Sequence, residues 1–194
     1  MRLRLVQLFA PALTALLLTA GWAATPAAQS GNVRQSFSAL AVQPGAPRGM
    51  TTIPITISIT RWSTAEEQQL LMTTLLEQPS NLVEVLRKMP PVGRLTTPGD
   101  VGFELRYAQR TNPAGIEQML VLTDRPVGFS ELSNQSRTLD YPITAIQFRV
   151  PPAIKGDGQV IVAAKLSADR ATRQLRIENW DIAPVLLQSV TRDR

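Results

Sequence analysis

Cysteine and histidine are both absent from the 194 residues. Without thiols there is no disulfide framework, no thiolate metal or redox site and no cysteine for lipid attachment. Without imidazole the most versatile acid–base group and the commonest metal ligand are missing. A Ser-His-Asp triad has no proton carrier, and a zinc site has none of its usual ligands. No glycine-rich phosphate loop follows a strand-like segment. Gly128-Phe-Ser130-Glu-Leu132 begins like a nucleophile elbow but lacks the second glycine. Lysine is scarce too: Lys88, Lys155 and Lys165 are the only three, and none stands three residues after a serine. These gaps leave a carboxylate pair, or a carboxylate-bound cation, as the only catalytic chemistry on offer. No cofactor is expected.

Charge is modest. The chain carries 20 basic and 15 acidic residues, a net +5. Arginine accounts for 17 of the 20, with no basic run, so the clustered charge of a nucleic-acid footprint is missing. Stability has to come from a buried core, and a hydrophobic content of 44% is enough for one domain of ordinary size.

What is present begins at the N-terminus. Arg2 and Arg4 precede an uncharged stretch from Leu5 to Ala20, and Gly21 and Ala23 follow at the −3 and −1 positions of a cleavage site. This layout predicts a secretory signal peptide over residues 1–23, and hence an exported protein, periplasmic or extracellular. Removing it leaves a net charge of +3. The alternative is a retained membrane anchor, since Leu5 to Ala24 is about as long as a bilayer span. Residues 24–49, rich in Ala, Pro, Gly, Ser and Gln, predict a flexible leader in which Phe37, Leu40 and Val42 are the residues able to dock.

A single domain is expected over residues 50–194. Ile53, Ile55, Ile57 and Ile59 alternate with polar residues, the signature of a half-buried strand. Pro54 makes it an edge strand, or one whose pairing starts after Pro54. Ser63-x-x-Glu66 predicts a capping box and a helix to about Gln78, ended by Pro79. A second short helix runs through Leu82, Val85, Leu86 and Met89 to Pro90-Pro91. Strands are expected through Phe103, Leu105 and Tyr107, over 116–123 and 143–150, through Val160 to Leu166, at Leu175 and Ile177, and over 186–190. Lys155-Gly-Asp-Gly158 is read as a hairpin turn. The order predicts an α+β two-layer fold: a mostly antiparallel sheet of about six strands with two helices on one face. A curled, partly closed sheet is the runner-up.

Three surfaces stand out as candidate sites. The segment 124–141 is long for a loop in a compact domain. Arg125, Glu131, Arg137, Asp140 and Tyr141 form its candidate binding set, with Asn134-Gln-Ser136 a glycosylation sequon inside it. The polar face of the sheet, with Thr56, Ser58, Thr60, Glu104, Arg106, Gln147, Arg149, Lys165, Arg176 and Glu178, is either a ligand platform or a solvated face of cross-strand ion pairs. The turn-rich segment from Pro90 to Asp100, with Arg94, reads as a rigid connector.

Thr60-Arg-Trp-Ser63, Pro91-Val-Gly93, Gly102-Phe-Glu-Leu-Arg-Tyr-Ala108, Thr123-Asp-Arg-Pro126 and Asp140-Tyr-Pro142 together resemble a family of small secreted bacterial proteins of unknown function. That resemblance spans about residues 52–180 and implies no activity, ligand or catalytic residue. The expectation is therefore an exported, non-catalytic binding or interaction module of the cell envelope. Its partner would be another envelope protein or a small anionic ligand, with no nucleic acid, and a membrane only if the leader stays attached. The competing expectations are a carboxylate-based hydrolase, whose two acids would converge within about 5–9.5 Å, and a membrane-tethered assembly factor.

Overall fold

A computed structural model of the chain describes residues 34–43, 51–127, 142–178 and 183–193. The elements in chain order are β1 (Gln35–Gln43), β2 (Thr51–Ile59), α1 (Ala65–Glu77), α2 (Leu82–Lys88), β3 (Gly93–Thr96), β4 (Phe103–Leu105), β5 (Tyr107–Thr111), β6 (Glu117–Leu122), β7 (Ala145–Val150), β8 (Gly156–Ile161), β9 (Lys165–Ala168), β10 (Leu175–Glu178) and β11 (Val185–Arg192). Nine strands form one sheet in the order β4-β3-β2-β1-β11-β8-β7-β6-β5, and every pairing is antiparallel. β9 and β10 make a separate hairpin.

The sheet is nearly closed into a barrel. Its two end strands, β4 and β5, are consecutive in the chain with only Arg106 between them. A flat sheet of nine strands would hold its ends roughly 38 Å apart, at about 4.8 Å per spacing. Phe37 on β1 and Phe148 on β7 show the curl directly. Three strand spacings separate them, about 14 Å in a flat sheet, yet their rings meet edge-to-face with centroids 5.1 Å apart. Backbone hydrogen bonds reinforce the seam: Val92 N–H donates to Leu105 O (2.8 Å), Ser63 N–H to Ala108 O (2.9 Å) and Arg106 N–H to Leu122 O (2.9 Å).

This overturns the two-layer expectation. The larger apolar cluster, 22 buried residues including Phe37, Ile55, Ile57, Ile59, Leu95, Leu105, Phe148 and Leu187, draws on all nine strands and fills the curled sheet's interior. The smaller, of 12 residues, joins Leu71, Leu75, Leu82, Leu86 and Met89 of the helical region to Tyr107, Leu122, Ala145 and Ile161. A curled sheet buries one face against itself, so two short helices are not needed as a second layer. The strand expected through Phe103, Leu105 and Tyr107 is broken at Arg106. Leu105 and Ala108 belong to the inner cluster and Tyr107 to the outer one, so the alternation slips by one residue where the chain passes from one end of the sheet to the other.

Other local expectations also shift. β1 lies within residues 24–49 and runs between β2 and β11 near the middle of the sheet, so an ordered strand occupies part of the span expected to be a flexible leader. Its inward residues are Phe37, Ala39 and Ala41. β2 alternates as expected, but it is an interior strand, and β3 pairs with it only from Thr56 onward, past Pro54. β3 occupies part of the segment read as a connector. The Asp-Gly pair does not turn the chain: Gly156, Asp157 and Gly158 lie inside β8. A Cβ on Gly156 or Gly158 would run into the carbonyls of Arg149 or Gln147 on β7, so glycine permits the close strand approach.

The first helix also starts one residue later than the capping box at Ser63 implies. Thr64 is the N-cap, with a reciprocal box to Glu67: Glu67 N–H donates to Thr64 Oγ1 (3.2 Å) and Thr64 N–H to Glu67 Oε2 (2.9 Å). Ser63 is engaged elsewhere, its Oγ accepting from Ala108 N–H at 3.0 Å.

Candidate functional site

Of the five residues proposed from sequence as a binding set, Arg125 falls in the described structure. Glu131, Arg137, Asp140 and Tyr141 lie outside the described residues. The Arg125 backbone is pinned: its N–H donates to Thr123 Oγ1, and its carbonyl accepts from the Thr123 and Thr144 hydroxyls. Its guanidinium is exposed, with Nε 3.8 Å from Asp124 Oδ1.

Asp124 belongs to a polar knot on the barrel seam. Its side chain is only 8% exposed and faces Arg106, itself 15% exposed, at 3.6 Å. Arg106 also holds Glu104 at 2.7 Å and donates to Met89 O at 3.4 Å. Beside it, Arg61 donates two 2.8 Å hydrogen bonds to the two oxygens of Glu67 and a third, also 2.8 Å, to Pro90 O. Burial alone would raise the Glu67 pKa. The Arg61 hydrogen bonds, the Thr64 backbone N–H and the Arg61 charge outweigh it, so the carboxyl sits below its ordinary range. Glu104 and Asp124 share the Arg106 guanidinium, Glu104 at Nη2 and Asp124 facing Nε. Among the described residues, no group of three acids is placed to hold a metal ion.

Much of the sheet's polar surface is cross-paired. Glu117 on β6 meets Arg110 on β5 at 3.6 Å and pairs with Arg192 on β11. Lys165, Arg176 and Glu178, expected on the sheet's polar face, lie instead on the separate β9–β10 hairpin, where Lys165 meets Glu178 at 3.3 Å and Arg176 meets Asp169 at 3.8 Å. Arg94 donates to Val101 O at 2.8 Å.

One part of the outer face is different. Register places Gln109, Leu120, Gln147 and Gln159 in one row across β5, β6, β7 and β8. Thr111, Gln118, Arg149 and Asp157 form the next row. These two rows are the floor of an open groove of about 830 Å³. One wall is α1, through Gln68, Leu71 and Met72. The other is the β9–β10 turn, through Arg173, Gln174 and Leu175. Six of the chain's fourteen glutamines line this groove, so its polar chemistry is mainly that of the amide.

The groove is built rather than merely exposed. Gln147 Oε1 accepts from Gln159 Nε2 at 3.0 Å, and Gln109 Oε1 accepts from the Tyr107 hydroxyl at 3.0 Å. Each contact fixes an amide by its oxygen and leaves its NH₂ as a donor. Arg149 and Asp157 form a two-pronged pair (2.8 and 2.9 Å). Its hydrogen bonds hold the Asp157 pKa below, and the Arg149 pKa above, their ordinary values. Tyr107 is pushed above its ordinary pKa by burial and then by the Glu67 charge, so its hydroxyl remains a proton donor. The wall at Arg173 is also fixed. Asp169 Oδ1 accepts from Ala171 and Thr172 N–H, both at 2.9 Å, and Arg173 adopts φ 52°.

Gln147 and Arg149 stand on the polar face expected from the sequence, but the groove itself is not evident there. The available signal was a glutamine at an outward position on each of four strands, Gln109, Gln118, Gln147 and Gln159. It becomes a site only once register aligns them. Compared with known proteins, the chain matches no family model, no curated protein and no solved structure.

Proposed function

We propose that this protein is an exported, non-catalytic binding module of the cell envelope, and that the groove across β5–β8 is its ligand site. The observation that carries this reading is the pair of anchored amides, Gln109 and Gln147. Their oxygens are satisfied within the protein and their donors are left to an incoming group. The groove's volume lies in the range of about 300–1,000 Å³ typical of small-molecule sites, and it combines apolar wall residues with a few fixed polar groups. The seam knot supplies the contrast, because its acids are engaged by Arg106 and Arg61.

Export rests on the layout of residues 1–23. Among the described residues, no helix is long and apolar enough to cross a membrane.

The test has two arms. The full chain is screened by NMR against uncharged saccharides, small anions and short peptides, with wild type compared with Gln147→Ala. At least one ligand is expected to bind saturably and to be weakened by the substitution. Turnover of a bound compound that disappears in Glu104→Gln or Asp124→Asn, both still folded, would overturn the non-catalytic reading. Sequencing the N-terminus of protein from the envelope fraction tests export, with a start near Ala24 expected.

A further inference from the structure

We infer that the ligand of this groove is an uncharged oligosaccharide, an inference that rests on the groove being the binding site. Four observations lead there, and the first is charge. The floor's two ionic groups, Arg149 and Asp157, neutralise each other through two hydrogen bonds. An anionic ligand would have to take Arg149 from Asp157, and a cationic one would have to do the reverse. Arg173 sits on the wall, at the turn rather than on the floor. The groove therefore favours a ligand without formal charge, which replaces the small anion expected from sequence.

The second observation is the type of polar group. Gln109, Gln118, Gln147, Gln159 and Gln174 present amides, a group that carries both donors and an acceptor, while Gln68 is tied to the protein by its Nε2, which donates to Ser63 O at 3.0 Å. A sugar hydroxyl both donates and accepts, so it can satisfy either end of each amide. Gln109 and Gln147 are fixed with NH₂ groups available, which suits hydroxyl and ring oxygens as acceptors.

The third is the kind of floor. β6, β7 and β8 are backbone-paired on both sides and β5, the end strand, on one, so all of the floor but its β5 margin is sheet face. An extended peptide gains its affinity at a sheet edge, where main-chain groups are free to pair. Here hydrogen bonding on the floor comes from side chains. Met72, Leu120 and Leu175 are half-buried among the amides and offer apolar surface to the C–H faces of sugar rings.

The fourth is reach. Four strands set a floor about 14 Å across, which is long enough for a short chain of rings rather than a single ring. The groove is open, so a longer polymer can run through it.

The experiment is titration of the full chain, by calorimetry and by NMR of the glutamine side-chain amides. The probes are tri- to pentasaccharides of the glucan, mannan and chitin series, a trigalacturonate and an uncharged polar hexapeptide. Saturable binding is expected for at least one uncharged saccharide series, with the Gln109 and Gln147 amide signals moving. Gln147→Ala should weaken it by about tenfold, and Gln188→Ala, on β11 and outside the groove lining, should leave it unchanged. Salt should have little effect, because no net charge is neutralised.

Binding of trigalacturonate or of the peptide through the same amides, with no uncharged saccharide binding, overturns the saccharide assignment and leaves the groove as the site. If no probe moves the groove amides at millimolar concentration, both readings fail.

Discussion

The seam and the groove are both polar surfaces of the barrel and both touch β5, but they handle their polar groups in opposite ways. At the seam, Arg61 and Arg106 bind acids and also the carbonyls of Pro90 and Met89, which tie α2's end to the closing strands. Few of those groups remain for a ligand. In the groove, Gln109 and Gln147 are each fixed by one contact and keep their donors. The seam is not fully satisfied, since Arg106 Nε and Asp124 Oδ1 are buried without a hydrogen-bond partner. But its charges face one another inside the fold, whereas the groove amides keep their spare donors beside an open surface. The comparison predicts that seam substitutions cost stability and groove substitutions cost binding.

Replacing Arg106 should break that comparison most severely. Arg106→Met keeps much of the stem volume but removes the buried cation facing Asp124 and leaves it only the exposed Arg125 at 3.8 Å. The expected loss is about 3 kcal/mol, the lower end for breaking a buried pair, read from the urea midpoint. A loss below about 0.5 kcal/mol, the scale of an ordinary surface change, would show that the knot does not hold the seam.

Glu67→Gln is expected to cost about 1.5 kcal/mol at neutral pH, the scale of a hydrogen bond to a charged partner. Its pH dependence sharpens the test. The folded-state pKa of Glu67 is lowered, so its contribution is fully present above the ordinary value of 4.5 and fades as pH falls through the folded-state value. Denaturation curves of wild type and variant should therefore converge on acidification. A gap that stays constant with pH would mean that the Arg61 pair is not its source.

Thr64→Ala removes the N-cap acceptor of α1 and should cost about 1 kcal/mol. Ser63→Ala separates the two capping registers, since it removes the bond to Ala108 on β5 while leaving the box intact. The smallest expected stability change is that of Gln147→Ala, within about 0.5 kcal/mol, although its effect on binding is the largest of the series. A large loss of stability there would make the groove amides structural and erase the contrast.

Much of the local structure was legible in the sequence. The isoleucine alternation of β2 and the proline stops after α1 and α2 each follow from near-neighbour chemistry. The closure was not legible. It depends on Arg106 separating two strands that pair at opposite ends of the sheet, and a regular Phe103–Leu105–Tyr107 alternation conceals this. β1 was hidden because Ala39 and Ala41 carry too little apolar surface to mark a strand inside an Ala/Pro/Ser-rich stretch. Ser63 and Thr64 each offered an N-cap with a glutamate three residues on. The choice between them is made by Ala108, 45 residues away. The groove was hidden for a related reason. A glutamine on one strand looks like a solvated residue, and only register brings Gln109, Gln147 and Gln159 into line.

Side-chain NMR of the full chain during titration with uncharged oligosaccharides puts seam and groove in one experiment. The NH₂ signals of Gln109 and Gln147 should move together and saturate, while the guanidinium signals of Arg61 and Arg106 stay fixed. Movement of the arginine signals with the glutamines unmoved would place recognition at the seam and contradict the account.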